Sequence, residues 1–510
     1  MPVAASGGIS LDRLRADGQR FMEEISREHY LAASGLKETA ELQPIYARYR
    51  HVMDAESLAM VLERFKGTKP DSADHRSARM LLEWQAEAQS ARELAPLDER
   101  EIEWESSAMI ALPDGSRLQF EEASIEIGNT HDRARRLAIE AARATLVEAE
   151  LAPLKREHLQ RERDITERLD LASDYNSGWE LLSGVPLLQL RSQCEQFLKD
   201  TADMWRESYR DFVPRVLGIS PDEATRADAI ALLRGREFDA FFPGGEMEAQ
   251  VHRQVREMGI DPTAHGRIRL DTGDRPGKRS RAFCAPVRVP EEVYLVLRPH
   301  GGQTDWNTLL HELGHALHFA YMRDDQPFES LWLGDNSVTE SYAMLFDHLM
   351  QQRGWLTRYT ELDDANATRF LRAAGFEELQ FLRRYCAKLI YETHLYGGDV
   401  SWDSLPDLYV ELLTSATSFK YSRADAFVDV DLRYYSARYL RAWQQQSLLA
   451  ETLTERFNED WWRNPRAGPW VVEQLFGEAQ RELAHEIAER VSGKPLSFAP
   501  LVRKIESLLG

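Results

Sequence analysis

The sequence is poor in features that define several classes of protein. Its 510 residues include only three cysteines, Cys194, Cys284 and Cys386, which lie far apart and form neither a disulfide framework nor a Cys-x-x-Cys metal motif. Basic residues are in deficit, since 63 Lys and Arg stand against 84 Asp and Glu, for a formal net charge of −21. This acidic balance disfavours nucleic acids and anionic membrane surfaces as partners.

Long apolar runs are also missing. No stretch of about 18 apolar residues occurs, so we expect no membrane-spanning helix. The N-terminal segment MPVAASGGISLDRLRADG has no basic region followed by an apolar one, which is the pattern of a secretory leader. Together with the few cysteines, this predicts a reduced, cytoplasmic protein.

What is present is a globular chain of mainly helical pattern. Hydrophobic residues make up 43% of the sequence and charged residues 29%, and segments 71–96 and 130–172 repeat apolar residues at helical spacing. Residues 117–127 follow a turn signal and fit either a short strand or a helix, whereas VYLVL at 293–297 fits a short strand. Because strand-like sequence is scarce, we predict a mainly α fold. Turn formers cluster at 173–186, so we place an N-terminal helical lobe at 1–185 and a second domain at 186–510.

The strongest chemical signal is His-Glu-x-x-His at residues 311–315, inside a helical pattern over 304–322. Positions four apart lie on one face of a helix, so His311 and His315 can bind one Zn²⁺ from the same side. Glu312 can reach a water on the metal without being a ligand itself. Gly314 costs about 1 kcal/mol relative to Ala inside a helix, which predicts that another element packs closely against the backbone there.

Two histidines need a third ligand to leave a zinc site with one open position. The downstream candidates are His318, Glu329, Asp335 and Glu340. His318 is rotated away from the metal-facing line, and Glu329 follows a proline in an expected loop. We therefore predict Glu340 as the third ligand.

Glu340 lies in a second helical pattern over 336–350, with Asn336 or Ser337 as the expected N-cap. Asp347 follows Glu340 by seven residues, two helical turns further on the same face. It either supports a ligand histidine from outside the metal shell or is an ordinary surface residue.

Three segments resemble the oligoendopeptidase F, thimet oligopeptidase and neurolysin family of gluzincins. They are RPGKRSRAFCAPVRVPEEVYLVLRP, TLLHELGHALHFA and VTESYAMLFDHL. The likeness covers roughly the C-terminal 60% of the chain, with 510 residues in all. The family also places its third ligand, a Glu, 25 residues past the second motif His, as Glu340 is past His315.

The resemblance implies a zincin-type, two-lobed helical metallopeptidase with a deep channel, a small β-sheet near the active site and one Zn²⁺ per chain. The strand at 293–297 would be the channel-edge strand that pairs with substrate, or simply a buried strand. His300-Gly301-Gly302 would be a mobile loop over the cleft, or only a turn.

The family stabilises its oxyanion with a tyrosine from a Gly-rich loop in the C-terminal region. The corresponding segment here holds Tyr434, Tyr435 and Tyr439, and we favour Tyr434 or Tyr435 for this role. The alternative is an aromatic pair in a core helix. The segment departs from the family pattern by lacking its glycines and by carrying arginines, which could bind a substrate carboxylate or serve as structural ion-pair partners: Arg433, Arg438 and Arg441.

The sequence therefore predicts a cytoplasmic zinc metalloendopeptidase that hydrolyses short unstructured peptides, with Glu312 as general base. One alternative is a peptidyl-carboxypeptidase that trims peptide C-termini. Another is a non-catalytic helical peptide-binding protein with a structural zinc, and a third is a processing protease for one cellular peptide.

Overall fold

A computed structural model describes residues 9–70 and 72–510. Residues 1–8, part of the segment without a leader pattern, and Asp71, the first residue of the predicted helix 71–96, lie outside the described residues. The helices are α1 (Leu11–Ala33), α2 (Gln43–Arg48), α3 (Ala55–Gly67), α4 (Ala73–Ser107), α5 (Ala123–Asn129), α6 (Arg133–Leu146), α7 (Ala152–Arg168), α8 (Tyr175–Ser183), α9 (Leu187–Asp200), α10 (Ala202–Phe212), α11 (Arg226–Leu233), α12 (Gly244–Glu257), α13 (Gln303–Tyr321), α14 (Phe328–Trp332), α15 (Asn336–Asp347), α16 (Arg353–Tyr359), α17 (Asp364–Gly397), α18 (Leu405–Thr417), α19 (Tyr435–Phe457), α20 (Ala467–Gln474), α21 (Ala484–Ser492) and α22 (Ala499–Leu509).

The strands are few and short, and the predicted mainly α fold is confirmed. They are β1 (Met109–Ala111), β2 (Arg117–Gln119), β3 (Ile268–Asp271), β4 (Phe283–Arg288) and β5 (Glu292–Val296). The predicted helix 71–96 is the first part of α4, and the predicted helix 130–172 is α6 and α7 joined by a π-helical turn. Among the described residues, no helix combines the length and apolar character that a membrane crossing requires.

The chain folds as two compact units, each built from separate segments. The first contains the described residues up to 89 together with 237–369 and 441–500, and the second contains 90–236, 370–440 and 501–510. The predicted boundary at 185/186 falls inside one segment of the second unit. Long-range ion pairs, which leave no local sequence signal, hold the N-terminal residues in the first unit: Arg27 Nη2 lies 2.8 Å from Glu292 and Arg15 Nε 3.0 Å from Glu329.

The segment 117–127 contains both of the structures that its sequence allowed. Residues 117–119 form β2, which pairs antiparallel with β1, and α5 follows after one 3₁₀ turn. The turn between β1 and β2 uses Gly115 at φ +86°, a left-handed conformation that glycine adopts without strain. Asp114 Oδ1 accepts the Ser116 N–H at 2.8 Å and closes the turn.

The expectation that residues 293–297 form the channel-edge strand is wrong. The strand is present as β5, but the order of the sheet in the first unit is β3-β5-β4, with β3 parallel and β4 antiparallel to β5. Because β5 is paired on both sides, it has no free backbone edge to offer a peptide. The outer antiparallel strand is β4.

Helix α13, which carries the His-Glu-x-x-His motif, is anchored at its start by a hydrogen-bonded turn. Gly301 and Gly302 have φ of +93° and +89°, and the Gly302 N–H donates to Phe242 O at 2.8 Å. The Asp305 carboxylate accepts the N–H groups of His300 and Gly301 at 2.9 and 3.0 Å. The 300–302 segment is therefore a turn bonded to the chain before α12.

Helix α15 packs directly across α13. A Cβ placed on Gly314 would lie 2.6 Å from Ala343 Cα and 2.8 Å from Tyr342 O, so the predicted close approach at Gly314 is confirmed. Asp335 is the N-cap of α15 and accepts the Ser337 N–H at 2.9 Å; the expected caps, Asn336 and Ser337, are the first residues inside the helix. The crossing brings the first turns of α15 over the motif.

Candidate metal centre

The structure brings the three predicted ligands together in the first unit. Glu340 Oε2 lies 3.5 Å from His311 Nε2 and 3.8 Å from His315 Nε2. The ligand atoms of all three residues fall within 4.8 Å of one another. His311 and His315 come from α13 and Glu340 from α15, so the helix crossing at Gly314 determines their separation.

These separations fit a tetrahedral zinc ion. Ligand atoms about 2.1 Å from a tetrahedral metal are about 3.4 Å apart, close to the distances between Glu340 and the two imidazoles. Two imidazole nitrogens and one carboxylate oxygen form the donor set of catalytic rather than structural zinc sites, because three protein ligands leave one position open. The residues present therefore suit Zn²⁺.

Both imidazoles are held from behind by side chains of α15. His311 Nδ1 lies 2.8 Å from Asp347 Oδ2, and His315 Nδ1 lies 2.9 Å from Thr339 Oγ1. A neutral imidazole with its proton on Nδ1 would donate to these oxygens and direct its Nε2 lone pair at the site. Asp347 is thus a buried partner of His311 and not a surface residue, and Thr339 is a partner of His315 that the sequence did not reveal.

Electrostatics favour a cation between these groups. Burial lowers the pKa of His315 to about 4, so this imidazole is neutral at neutral pH, as a metal ligand must be. Burial also lowers the pKa of His311, but hydrogen bonds to Asp347 and Glu340 outweigh it and raise that pKa to about 10. The two carboxylates therefore favour a positive charge at His311, whether a proton or a metal ion supplies it.

Asp347 is ionised in this setting. Its own burial raises its pKa, but the charge of His348 and the hydrogen bond from His311 lower it to about 2. His348 Nδ1 lies 2.5 Å from Asp347 Oδ1. A carboxylate that contacts His311 on one side and His348 on the other has a fixed orientation, which in turn fixes the His311 ring.

Glu312 is positioned by the outer strand of the sheet. Its Oε2 accepts the backbone N–H of Cys284 in β4 at 2.9 Å. Burial raises the pKa of Glu312 above its ordinary value, while the charge of His311 and the Cys284 N–H lower it. A partly buried carboxylate of raised pKa, held by one hydrogen bond and close to the charge of His311, has the basicity expected of a proton acceptor.

The other predicted ligand candidates have different roles. His318 is fully buried, with its ring centroid 4.8 Å from that of Tyr342, and burial lowers its pKa to about 3. Glu329 is buried and pairs with Arg15. Asp335 caps α15 and also accepts the Ala484 N–H at 3.1 Å. Packing explains His318, an ion pair explains Glu329, and capping explains Asp335.

Tyr434 and Tyr435 belong to the second unit. Tyr434 is buried, and its hydroxyl donates a hydrogen bond to Asn176 Oδ1. Tyr435 is partly buried, with its ring centroid 5.0 Å from that of Tyr439. Arg433 and Tyr434 have φ of +57° and +55°, a strained conformation for residues with side chains.

The arginines around these tyrosines have partners. Arg433 Nε donates to Glu162 Oε1 at 2.9 Å within the second unit, and Arg441 Nη2 lies 2.9 Å from His485 Nδ1 within the first. Arg438 and Arg441 are 5% and 3% exposed. These contacts favour the structural interpretation of the three arginines.

A second group of potential ligands occurs in the second unit, where Asp98, Glu101 and His158 lie close together. Lys155 Nζ donates to Glu101 Oε2 at 2.7 Å, and His158 Nδ1 lies 2.8 Å from Glu101 Oε1. Because the lysine already supplies the compensating charge, this cluster is an ion-pair network.

Comparison with known proteins shows a distant similarity. No protein-family model matches the chain. A curated relative, Group B oligopeptidase PepB from Streptococcus agalactiae serotype III (strain NEM316), is 24% identical over 249 residues. The match covers 45% of this chain and 38% of the relative, so the chain matches little more than a third of the relative's length.

Proposed function

We propose that the protein is a zinc metallopeptidase that cleaves short unstructured peptides at internal bonds. The observation that carries this proposal is the convergence of His311, His315 and Glu340, with Glu312 beside them. The name of the distant relative, an oligopeptidase, points to the same class of substrate. We also propose that the protein acts in the cytoplasm, binds one Zn²⁺ per chain and has short peptides as its partners.

In this proposal His311, His315 and Glu340 hold the metal. A zinc ion lowers the pKa of water towards about 7 and polarises a scissile carbonyl. Glu312 accepts the proton of the attacking water at its carboxylate and passes it to the leaving amine. The Cys284 N–H keeps the Glu312 carboxylate oriented throughout, because it occupies Oε2 and leaves Oε1 for the water.

The outer edge of β4 offers a place for the substrate backbone. The Cys284 N–H donates to Glu312 and not to β5, so the N–H and C=O of Cys284 point outward from β4, on the side opposite β5. Pro286, two residues on, points the same way and has no N–H. An extended peptide would therefore bind β4 mainly by donating its own N–H groups to carbonyls of this strand.

We keep Tyr434 and Tyr435 as proposed oxyanion donors. Replacement of each by Phe removes only the hydroxyl. If the tyrosine is the oxyanion donor, its replacement by Phe should lower kcat with little change in KM. If the tyrosine has only a structural role, the replacement should lower the stability of the fold and leave kcat unchanged.

The test of the proposal compares wild type with Glu312→Gln. The wild type loaded with Zn²⁺ should cleave a diverse peptide library, and mass spectrometry of the products locates the cuts. Glu312→Gln should bind zinc equally but lose roughly a thousandfold or more in turnover, since it cannot accept a proton. Normal turnover by this variant would refute the proposed base.

The same assay separates the alternatives. Peptides with amidated C-termini should remain substrates of an endopeptidase, whereas a peptidyl-carboxypeptidase should lose them. Zinc binding without any cleavage across the library would indicate a peptide-binding protein with a structural zinc. Removal of zinc with a chelator should abolish turnover, and re-addition should restore it.

A further inference from the structure

A cavity of about 490 Å³ lies in the second unit, between α5, α11 and α17. Its volume falls in the range of small-molecule binding sites. Much of the lining is apolar and comes from all three helices: Ile125, Ile230, Leu233 and Phe381. A ligand here would place an apolar body against these side chains.

The polar part of the lining contains an amide with an unmet hydrogen bond. Gln380 on α17 lines the cavity and is only 2% exposed. Its buried carboxamide oxygen has no hydrogen-bond partner among the described residues. A buried acceptor without a partner costs about 1–3 kcal/mol, so a rotation of this side chain that turned its oxygen towards a donor on a ligand would be favoured.

Glu377 lies one helical turn before Gln380 on the same face of α17 and also lines the cavity. Within the part of the chain that the structure describes, no cation is paired with its carboxylate. Burial and the neighbouring charge of Glu378 raise the pKa of Glu377 to about 7. A positive group at this position would stabilise the ionised carboxylate.

Three arginines line the cavity, and two of them have acidic partners. Arg226 Nη1 donates to Glu140 Oε1 at 2.9 Å, and Arg384 Nη2 donates to Asp429 Oδ1 at 2.5 Å. Their charges are therefore neutralised within the protein. Arg234, the third arginine of the lining, also has an interaction within the protein. The carboxylate of Glu377 is the acidic group of the lining, and among the described residues no cation is paired with it.

We propose that this cavity binds a small organic ammonium, whose –NH₃⁺ group contacts Glu377 and Gln380 while its apolar body packs against Ile230, Leu233 and Phe381. Such a group occurs as the free amino terminus of an amino-acid amide or short peptide, and as a plain alkylamine. This site lies in the second unit and does not depend on the metal centre or on the proposed peptidase activity.

Isothermal titration calorimetry on the full chain tests the proposal at about pH 8, above the Glu377 pKa of about 7. The ligands are leucinamide, hexylamine and N-acetyl-leucinamide, which has the apolar body but no cation. All titrations contain EDTA, so that amines cannot bind a metal ion. We expect leucinamide or hexylamine to bind with one site per chain and N-acetyl-leucinamide not to bind.

Substitution of residues that line the cavity tests whether the amine binds there or elsewhere on the protein. Glu377→Gln keeps the shape and removes the charge, and it should weaken binding about tenfold or more. Gln380→Leu should weaken it less. Glu411→Gln, a change of the same type at an exposed residue of α18, is the control and should bind as wild type does.

Each result of these titrations either supports the proposal or overturns it. Binding of leucinamide alone identifies an amino terminus as the source of the ammonium, and binding of hexylamine as well identifies any apolar amine. Equal binding by Glu377→Gln and Glu411→Gln overturns the proposal, as does equal binding of the acetylated compound. Absence of amine binding at millimolar concentration overturns it too.

Discussion

The crossing of α13 and α15 at Gly314 gives the sharpest test of the proposed metal centre. In Gly314→Ala, the new Cβ would lie 2.6 Å from Ala343 Cα and 2.8 Å from Tyr342 O, where ordinary contact begins at 3.4 Å. Both neighbours are backbone atoms and cannot rotate away. The two helices must therefore separate locally by about 1 Å, since overpacking forces shifts of the backbone.

Two free-energy effects of this substitution oppose each other. Alanine favours the helix by about 1 kcal/mol over glycine, whereas overpacking costs about 1–3 kcal/mol. We expect a small net loss of stability, about 0–2 kcal/mol, and a folded protein. We expect a larger effect on the positions of the proposed zinc ligands. Glu340 precedes Ala343 by three residues on α15, so it moves when this helix moves.

Metal sites tolerate displacements of about 0.2 Å in their ligand distances, so a shift several times larger should lower zinc affinity about tenfold to a hundredfold. Competition with a chromophoric chelator measures that affinity, and peptide turnover at limiting zinc should fall in parallel. Gly245→Ala is the control, since a Cβ on Gly245 in α12 meets nothing within 4 Å. Wild-type zinc affinity in Gly314→Ala would refute the geometric argument.

Two further substitutions have definite expectations. Asp347→Asn should lower zinc affinity about tenfold to a hundredfold with the fold intact, because the charge that orients His311 is lost; chelator competition measures this, and unchanged affinity would contradict the role of Asp347. Glu257 has its pKa lowered to about 2, first by its hydrogen bond with Arg358 and despite burial, so its contribution is present above about pH 4.5 and is lost as the pH falls towards about 2. After discounting for solvent screening, Glu257→Gln should cost about 1–2 kcal/mol at neutral pH and less near pH 3. Urea unfolding at both pH values measures the difference, and an equal cost at both would show that the ion pair is not responsible.

The local pattern of the sequence was enough to predict the helical character of the protein and the two helices of the candidate metal centre. The motif histidines lie four residues apart, so any helix over 304–322 places them on one face. Glycine inside that helix indicated close packing, and α15 crosses there. These predictions succeeded because they depend on helical periodicity, which neighbouring residues determine.

Features that depend on contacts between distant segments were not predictable in this way. The central position of β5 follows from its pairing with β3 and β4, and the N-terminal residues join the first unit through partners such as Glu292 and Glu329. Two further contacts likewise depend on how helices and strands pack against one another. They are the contact of Thr339 with His315 and the hydrogen bond from the Cys284 N–H to Glu312. A hydroxyl or a backbone N–H carries no distinctive local signal, because every strand has such N–H groups and most helices have such hydroxyls. Sequence periodicity thus determined which side chains share one face of α13, and only tertiary packing decided how far they lie from Glu340 and what holds them there.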